Sequence, residues 1–332
     1  LENLLNDSNN NSVVGDSNVL NFSDNNNVSG LENNLLLSNN NTVAGDSNNL
    51  NQSHNNNVSG DSNDLLLSNN NTLPGNGDDL NLSGNDNVSG NDYNLLTSDN
   101  NTVSGNSNGL TSSNNNIVSG DDNTMIDADN NTVAGYSNYL ETSNGNTVTG
   151  DNNALTTSHN NNVSGADNTL IFADNNTVTG DTNSLTNADN NSVSGISNAL
   201  IDADNNSVVG DNNGLTTSDN NQVAGTDNSL ITSNNNTVSG DTNSLTASND
   251  NTVSGLSNAL GTSNRNQVTG DDNTLTLADN NTVAGDTNTV SNADNNSVAG
   301  LLNTVNAGSD NNTVSGDHNT ITDNSDSNLV AG

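Results

Sequence analysis

Four aspartates recur at a spacing of fifteen residues and could together hold a hard cation. Asp174, Asp189, Asp204 and Asp219 occupy the same place in four consecutive repeats. Ca²⁺ prefers oxygen ligands, and carboxylates stacked about 4.8 Å apart repel one another unless a cation bridges them. The glycine-rich signature of calcium-binding β-rolls is absent. These residues are therefore either weak Ca²⁺ ligands or solvated acidic corners, and no other cofactor is expected.

The histidines, which are the other residues able to do acid–base or metal chemistry, do not form a catalytic group. His54 and His159 share the same repeat position but lie seven repeats apart, about 34 Å along a stack of strands, which is too far to share a metal or a proton. His318 stands alone. No Ser/His/Asp set, paired carboxylates or phosphate-binding loop can be argued. The sequence predicts a protein that is not an enzyme.

These residues are positioned by a repeat that fills the whole chain. Glycine recurs every 15 residues from Gly15 to Gly300, and Gly316 and Gly332 then close two 16-residue units. A fixed short period is typical of a solenoid, in which each repeat is one coil and neighbouring coils supply the core. We expect residues 1–332 to form a single continuous domain of about 22 coils, each adding about 4.8 Å.

Composition limits the partners. Hydrophobic residues make up 27% of the chain and the formal net charge is −38, which without the repeat would indicate disorder. The one basic residue, Arg265, excludes an electrostatic nucleic-acid binder and attachment to anionic lipid. No apolar run reaches membrane-spanning length, and there is no cysteine for a disulfide framework.

Each coil divides into two halves that carry the same short pattern, Asn-x-aliphatic. Residues 181–188 typify the first half, with leucine as the aliphatic residue, and residues 129–135 typify the second, with valine. Because side chains alternate faces along a strand, the asparagine and the aliphatic residue share the inner face. The fold class is therefore all-β: a parallel β-solenoid of the β-roll or β-helix type, with two short strands per 15-residue coil and a flattened two-sheet cross-section.

The inward asparagines are predicted to form ladders. Asn33, Asn48 and Asn63 would stack one coil apart, each amide bonding to the next and to corner backbone, because a buried amide must be hydrogen-bonded. The glycine that ends each coil indicates a corner with positive φ or close chain approach. The small Ser or Ala at the eighth position suits the opposite corner.

The second half of the coil, x-x-N-x-V-x-G as in residues 99–105, resembles the repeat of the ryegrass-type ice-binding proteins. The resemblance covers the second half of almost every coil and implies a β-roll with inward Asn and Val and a flat ice-binding sheet. The first half departs from it by an extra residue and by Ser or Ala in place of Gly. More loosely, the Gly-x-x-Asn-x-aliphatic element is similar to the repeats of curli-type fibre subunits.

The resemblance implies an ice-binding face at the outward twelfth and fourteenth positions. The candidate residues are Thr102, Thr132, Thr147, Thr149, Thr177, Thr179, Thr237, Thr252 and Thr282. Asparagine, glutamine or aliphatic residues interrupt these rows at Asn27, Asn57, Asn87, Asn162, Gln222, Gln267, Ile117 and Leu329, and Pro74 lies within them. Threonine also suits any exposed strand, so the row alone does not establish the function.

A second period of 30 residues runs through the later coils. At the sixth position isoleucines alternate with threonines: Ile171, Ile201 and Ile231 stand between Thr156, Thr186 and Thr216. The first position alternates in step between aspartate and other residues. This pattern would serve lateral packing, or it results from duplication of a 30-residue unit.

Two ends of the repeat array favour assembly. The given sequence begins at the first position of a repeat and ends on a corner glycine, and neither end has a sequence that predicts a capping helix. Either caps lie outside this stretch or coils stack head to tail, with Leu5, Leu329 and Val330 at the junction. The leading hypothesis is thus an extracellular, non-enzymatic rod or filament of a surface fibre, appendage or stalk. The alternative is an ice-binding protein, and the third is an adhesin that binds glycan or calcium.

Overall fold

The computed structural model describes residues 2–332 and is built from β-strands. The chain forms two compact units, one ending at Asp167 and the next beginning at Asn168. Each unit is a parallel β-solenoid, as the sequence predicts, and together they hold about 22 coils with two strands each. Within residues 2–332 there is no helix, and hence none long and apolar enough to cross a membrane.

In each unit the first strands of the coils form a parallel sheet that we call the leucine sheet. In the first unit its strands are Leu4–Asn6, Val19–Asn21, Asn34–Leu36, Asn49–Asn51, Asp64–Leu66, Asp79–Asn81, Asn94–Leu96, Gly109–Thr111, Thr124–Ile126, Tyr139–Glu141 and Ala154–Thr156. In the second unit they are Thr169–Ile171, Ser184–Thr186, Ala199–Ile201, Gly214–Thr216, Ser229–Ile231, Ser244–Thr246, Ala259–Gly261, Thr274–Thr276, Thr289–Ser291, Thr304–Asn306 and Thr320–Ile321.

In each unit the second strands of the coils form the valine sheet. Its strands in the first unit are Ser12–Val14, Asn27–Ser29, Thr42–Ala44, Asn57–Ser59, Thr72–Asn76, Asn87–Asn91, Thr102–Asn106, Ile117–Ser119, Thr132–Ala134, Thr147–Thr149 and Asn162–Ser164. In the second unit they are Thr177–Thr179, Ser192–Ser194, Ser207–Val209, Gln222–Ala224, Thr237–Ser239, Thr252–Ser254, Gln267–Thr269, Thr282–Ala284, Ser297–Ala299, Thr313–Ser315 and Leu329–Ala331.

The core contains one aliphatic side chain from each sheet per coil. Leu200 and Val208 of one coil are both buried, and they pair in register with Leu215 and Val223 of the next. Each aliphatic residue therefore packs against its own kind in the neighbouring coils. This explains why the aliphatic residue type changes so little along the chain.

Two asparagine ladders flank this core, as predicted. In the ladder at the third position, the side-chain amide of Asn198 donates to Oδ1 of Asn183 at 3.0 Å and to the carbonyl of the corner residue Gly210 at 2.7 Å. Oδ1 of Asn198 accepts both the backbone and the side-chain N–H of Asn213, each at 3.0 Å. Both amide hydrogens and both acceptor positions are thus used, which removes the cost of burying a polar group.

Buried polar groups are also hydrogen-bonded in the second asparagine ladder, at the eleventh position, and in a row of small residues at the eighth position. Asn206 donates to Asn191 at 3.2 Å and its backbone N–H bonds the same oxygen at 2.8 Å. At the eighth position, Ser233 donates to the carbonyl of Ile231 at 2.9 Å, and its Oγ accepts the backbone N–H of Ser248 at 3.1 Å.

The corners need left-handed backbone at more places than the glycine pattern indicates. In one coil Ser197, Asp202 and Asn205 have φ of 60°, 50° and 60°, and the same positions are left-handed in nearly every coil. Gly210 has φ of 123°, and a Cβ there would lie 1.9 Å from the carbonyl oxygen of Gly225. The closing glycine is therefore required both by its φ and by the stacking distance, whereas the other three corners accept many residue types, most often Asn, Asp, Ser and Thr.

Two aspartates and a tyrosine interrupt the ladders, which the sequence analysis missed. Asp78 and Tyr93 replace the third-position asparagine in successive coils, and Asp86 replaces the eleventh-position asparagine. All three are buried. The hydroxyl of Tyr93 lies 2.5 Å from the carbonyl oxygen of Gly105, so it takes over the contact that an asparagine amide makes elsewhere. The visible signal was the loss of Asn from two otherwise regular columns.

The two aspartates lack the hydrogens that the ladder needs. One oxygen of each accepts from the next coil, as in Asp86 Oδ1 with the backbone N–H of Asn101 at 2.8 Å. The other oxygen of each, Oδ2, stands where an asparagine would carry its NH₂ and has no partner in the described part of the chain. Burial raises the pKa of both Asp78 and Asp86 to about 7. The solenoid thus favours the protonated carboxyl, whose O–H replaces one amide hydrogen.

Removing one ladder amide should destabilise the protein. We expect Asn198→Ala to lower the free energy of unfolding by roughly 1–3 kcal/mol, because the amides above and below lose a buried partner. The measurement is chemical denaturation followed by circular dichroism. The control is Asn162→Ala, which removes the same side chain from an exposed position on a strand. Corner residue Asn205 is a poorer control because alanine would be strained at its φ of 60°. Equal losses in Asn198→Ala and Asn162→Ala would contradict the ladder.

Replacing both buried aspartates should change how stability depends on pH. A carboxyl with a pKa near 7 in the folded state and near 3.8 when unfolded favours folding fully below about pH 4, and this contribution is lost as pH rises towards 7. We therefore expect the variant Asp78→Asn/Asp86→Asn to melt at a higher temperature than the wild type at about pH 8, with the difference vanishing near pH 4.

Asp202→Asn is the control for this pH experiment, since it makes the same replacement of a carboxyl by an amide at one exposed corner, where Asn187 already stands in a neighbouring coil. It should leave the pH profile close to that of the wild type. A double variant whose melting temperature follows the wild type across the whole pH range would show that the two carboxylates are ionised in the folded state.

Candidate functional site

Each of the nine threonines predicted for a binding face lies on the outward face of the valine sheet of its own unit. Strand alternation turns the thirteenth-position valine inward and the twelfth and fourteenth positions outward, so Thr177 and Thr179 are exposed while Val178 is buried. The same pattern applies to every candidate. The exposed residues are Thr102, Thr132, Thr147, Thr149, Thr177, Thr179, Thr237, Thr252 and Thr282.

The sheet register decides which of these threonines are neighbours. Thr132 lies directly beside Thr147, and Thr237 beside Thr252. The expected interruptions are also present, since Gln267 separates Thr252 from Thr282. The face is therefore a set of short hydroxyl rows with amide gaps between them.

The fourteenth-position row is the more uniform of the two. In the second unit it consists of Thr179, Ser194, Val209, Ala224, Ser239, Ser254, Thr269, Ala284, Ala299, Ser315 and Ala331. All are small, and none is charged. Small side chains on an in-register sheet leave a surface without large protrusions, which is what contact with an extended flat partner requires.

The threonine hydroxyls are available to solvent. Within residues 2–332, the nine candidate threonines make no side-chain hydrogen bond to another protein group, in contrast to the buried serines of the eighth position. Each hydroxyl can both donate and accept. Neighbouring strands stand about 4.8 Å apart, and alternate residues along a strand about 6.6 Å apart. The face is thus a regular two-dimensional array of hydroxyl and methyl groups.

The four stacked aspartates lie at a corner and already have a structural role. Oδ1 of Asp189 accepts the backbone N–H of Asp174 at 2.7 Å, Asp204 does the same for Asp189, and Asp219 for Asp204 at 2.8 Å. Within residues 2–332, no group of three or more His, Cys, Asp or Glu side chains is arranged to hold a metal ion. Ca²⁺ binding here stays a prediction.

This backbone-capping role extends to other corner residues and was not anticipated. Asp211 at the first position accepts the N–H of Ile196 at 2.8 Å. His54 and His159 take the same place as the ninth-position aspartates, and Nδ1 of each accepts a backbone N–H, at 2.9 and 3.0 Å. The preference for Asp, Asn and His at these corners is therefore explained by an acceptor that reaches the preceding coil.

The predicted assembly residues lie in the outermost coils. Leu5, whose counterparts in other coils are buried, is 44% exposed, and Leu329 is 79% exposed. Val330 is half-buried, although it keeps the register of the sheet by pairing with Val314.

No cleft of ligand size is found in the part of the chain that the structure describes. The surfaces of the described coils are extended sheet faces and their corners.

Comparison with known proteins points to one family. No curated protein matches the chain. Residues 148–226, less than half of the chain, match the model of the grass antifreeze β-roll family. The matched segment includes Thr149, Thr177 and Thr179 of the valine sheet. The resemblance first seen in the x-x-N-x-V-x-G pattern is thereby confirmed: over residues 148–226 this β-solenoid is similar to the antifreeze β-rolls of grasses.

Proposed function

We propose that this protein is an extracellular, non-enzymatic ice-binding protein that adsorbs to ice through the outward face of the valine sheet. The observation that carries the proposal is the array of exposed threonines, such as Thr177 and Thr179. Their hydroxyls have no hydrogen-bond partner among residues 2–332, and their spacing is fixed by the coil. The family match over residues 148–226 supports it. This order of preference reverses the one favoured by the sequence alone.

The physical basis is the ordering of water. Threonine methyl groups restrict first-shell water, and the hydroxyls beside them anchor it by hydrogen bonds. Repeated at a fixed interval, such sites can hold water in positions that merge with an ice surface. A charge on this face would bind its hydration shell too strongly for that. The net charge of −38 belongs to the rest of the surface, where it keeps the protein soluble.

A bulky side chain in the middle of the face should weaken ice binding. We expect Thr177→Tyr to lower thermal hysteresis and ice recrystallisation inhibition, because the ring holds the flat sheet away from ice. Circular dichroism and melting temperature should not change, since Thr177 is exposed. The control is Thr226→Tyr at a corner, a position that already accepts tyrosine as Tyr136.

Wild-type protein that leaves ice growth unchanged at micromolar concentration would reject the proposal. Equal losses in Thr177→Tyr and Thr226→Tyr would instead show that the valine face is not the surface in contact with ice.

Axial stacking into filaments is a second candidate, since one coil of this repeat can pair with the next through the same strand register at any point of the solenoid. Leu5 and Val330 hold core positions, yet both are accessible while Leu20 and Val314 are buried. A coil placed against either would cover them with the geometry already used inside. Such head-to-tail contacts propagate when their rotation does not close a ring.

The stacking hypothesis predicts filaments that lengthen when salt screens the aspartates. Val330→Lys should shorten or abolish them, because it puts a charge in the contact, while circular dichroism stays unchanged. Negative-stain microscopy and sedimentation provide the measurement. Wild-type protein that remains monomeric at high concentration and high salt would contradict this candidate.

A further inference from the structure

The leucine sheet of the second unit carries a face at least as regular as the valine face. Its outward residues lie at the fourth and sixth positions of each coil. From Thr169 to Ser291 the fourth position holds Thr169, Ser184, Ala199, Gly214, Ser229, Ser244, Ala259, Thr274 and Thr289. The sixth holds Ile171, Thr186, Ile201, Thr216, Ile231, Thr246, Gly261, Thr276 and Ser291. None of these side chains is charged and none is an amide.

Neither the valine face of the same unit nor the leucine face of the first unit is as uniform. Gln222 and Gln267 interrupt the valine face over these coils. In the first unit the outward rows of the leucine sheet include Asp64, Asp79 and Glu141. A face on which both outward rows lack charged and amide side chains is therefore confined to the leucine sheet of the second unit and is not a general property of the repeat.

The residues of the sixth position form a continuous row. Thr186 pairs with Ile201, Ile201 with Thr216, Thr216 with Ile231, and Ile231 with Thr246. Ile201 and Ile231 are each 45% exposed. Among residues 2–332, the hydroxyls of the threonines in this row make no side-chain hydrogen bond to protein. Hydroxyl and methyl groups thus alternate along the row and face water.

The outward residues of this face have the same spacings, between strands and along each strand, as those of the valine face. Every coil contributes one strand to each sheet, and both sheets pair in register from coil to coil. The spacing between strands is therefore about 4.8 Å on both sides, and the spacing along a strand is set by the same backbone geometry. Two faces with one lattice should match the same planes of ice, and the side chains then decide whether each face binds.

We propose that the leucine sheet between Thr169 and Ser291 is a second ice-binding face, which rests on the proposed function of the valine face. The alternating 30-residue pattern then has a role, since from Ile171 to Ile231 it places a methyl-rich isoleucine beside hydroxyls in every second coil. A protein with two such faces can adsorb through either one. Blocking one face leaves the other active.

The test compares single and double face variants. Thr216→Tyr places a ring in the middle of the leucine face, Thr177→Tyr does so on the valine face, and Thr226→Tyr is the corner control. Tyr139 already occupies an outward position of the leucine sheet, so a tyrosine there is compatible with folding. We expect each single face variant to keep part of the wild-type thermal hysteresis and the double variant to lose it.

A second measurement identifies the planes that are bound. The chain contains no lysine, since Arg265 is its one basic residue, so a dye can be attached at the N-terminal amine alone. On a single ice crystal, both single face variants should decorate the same planes as the wild type, and the double variant should leave the crystal unstained.

The outcomes separate the two proposals. Wild-type protein without ice activity would reject both. Thermal hysteresis that is unchanged in Thr216→Tyr and lost in Thr177→Tyr would overturn the second face and leave the proposed function standing. Activity that is lost in Thr216→Tyr and unchanged in Thr177→Tyr would also overturn the two-face inference, since only the leucine sheet would then bind.

Discussion

Two columns of buried asparagine amides hydrogen-bond each coil to the next, and the rest of the structure depends on these hydrogen bonds. A side chain such as Asn198 bonds the coil before it, the coil after it and the corner of its own coil. Because all its donors and acceptors are used, burial costs little, and any shift in register would leave several polar groups unpaired at once. A thin core with one leucine and one valine per coil can therefore maintain a regular solenoid.

The same hydrogen bonds explain why side chains on the exposed sheet faces are regularly spaced. Backbone pairing fixes the distance between strands, and the ladders fix which residue lies beside which. An outward threonine such as Thr237 then has a neighbour at the same height in every adjacent coil. The outer positions make few demands on folding, so their side chains are free to be chosen for contact with water or ice. The inner positions vary little along the chain because their side chains form the core and the asparagine ladders.

Much of this was predictable from the repeat, and the exceptions have physical causes. The 15-residue glycine spacing and the Asn-x-aliphatic pattern predicted the solenoid, the inward asparagines and the outward threonines. The corner roles of Asp189 and His54 were missed because their partner is a backbone N–H in another coil, which carries no sequence signal. Asp78 and Asp86 escaped notice because a single Asn-to-Asp change is small in sequence but large once the side chain is buried. The sequence ranked the filament above ice binding, although the repeat does not separate the two functions, since both need exposed, repetitive strands.

The extra residue near Gly308 shows what kind of change the solenoid tolerates. The ladder passes unbroken from Asn296 to Asn312, with the backbone N–H of Asn312 2.8 Å from Oδ1 of Asn296, although sixteen residues separate them. The added length is taken up at the corner around Ala307 and Gly308, both of which have positive φ. Insertions at a corner thus spare the register, and gain or loss of a whole coil would spare it too. The number of rows on each face can therefore change by duplication or deletion of single repeats, with no compensating change elsewhere in the chain.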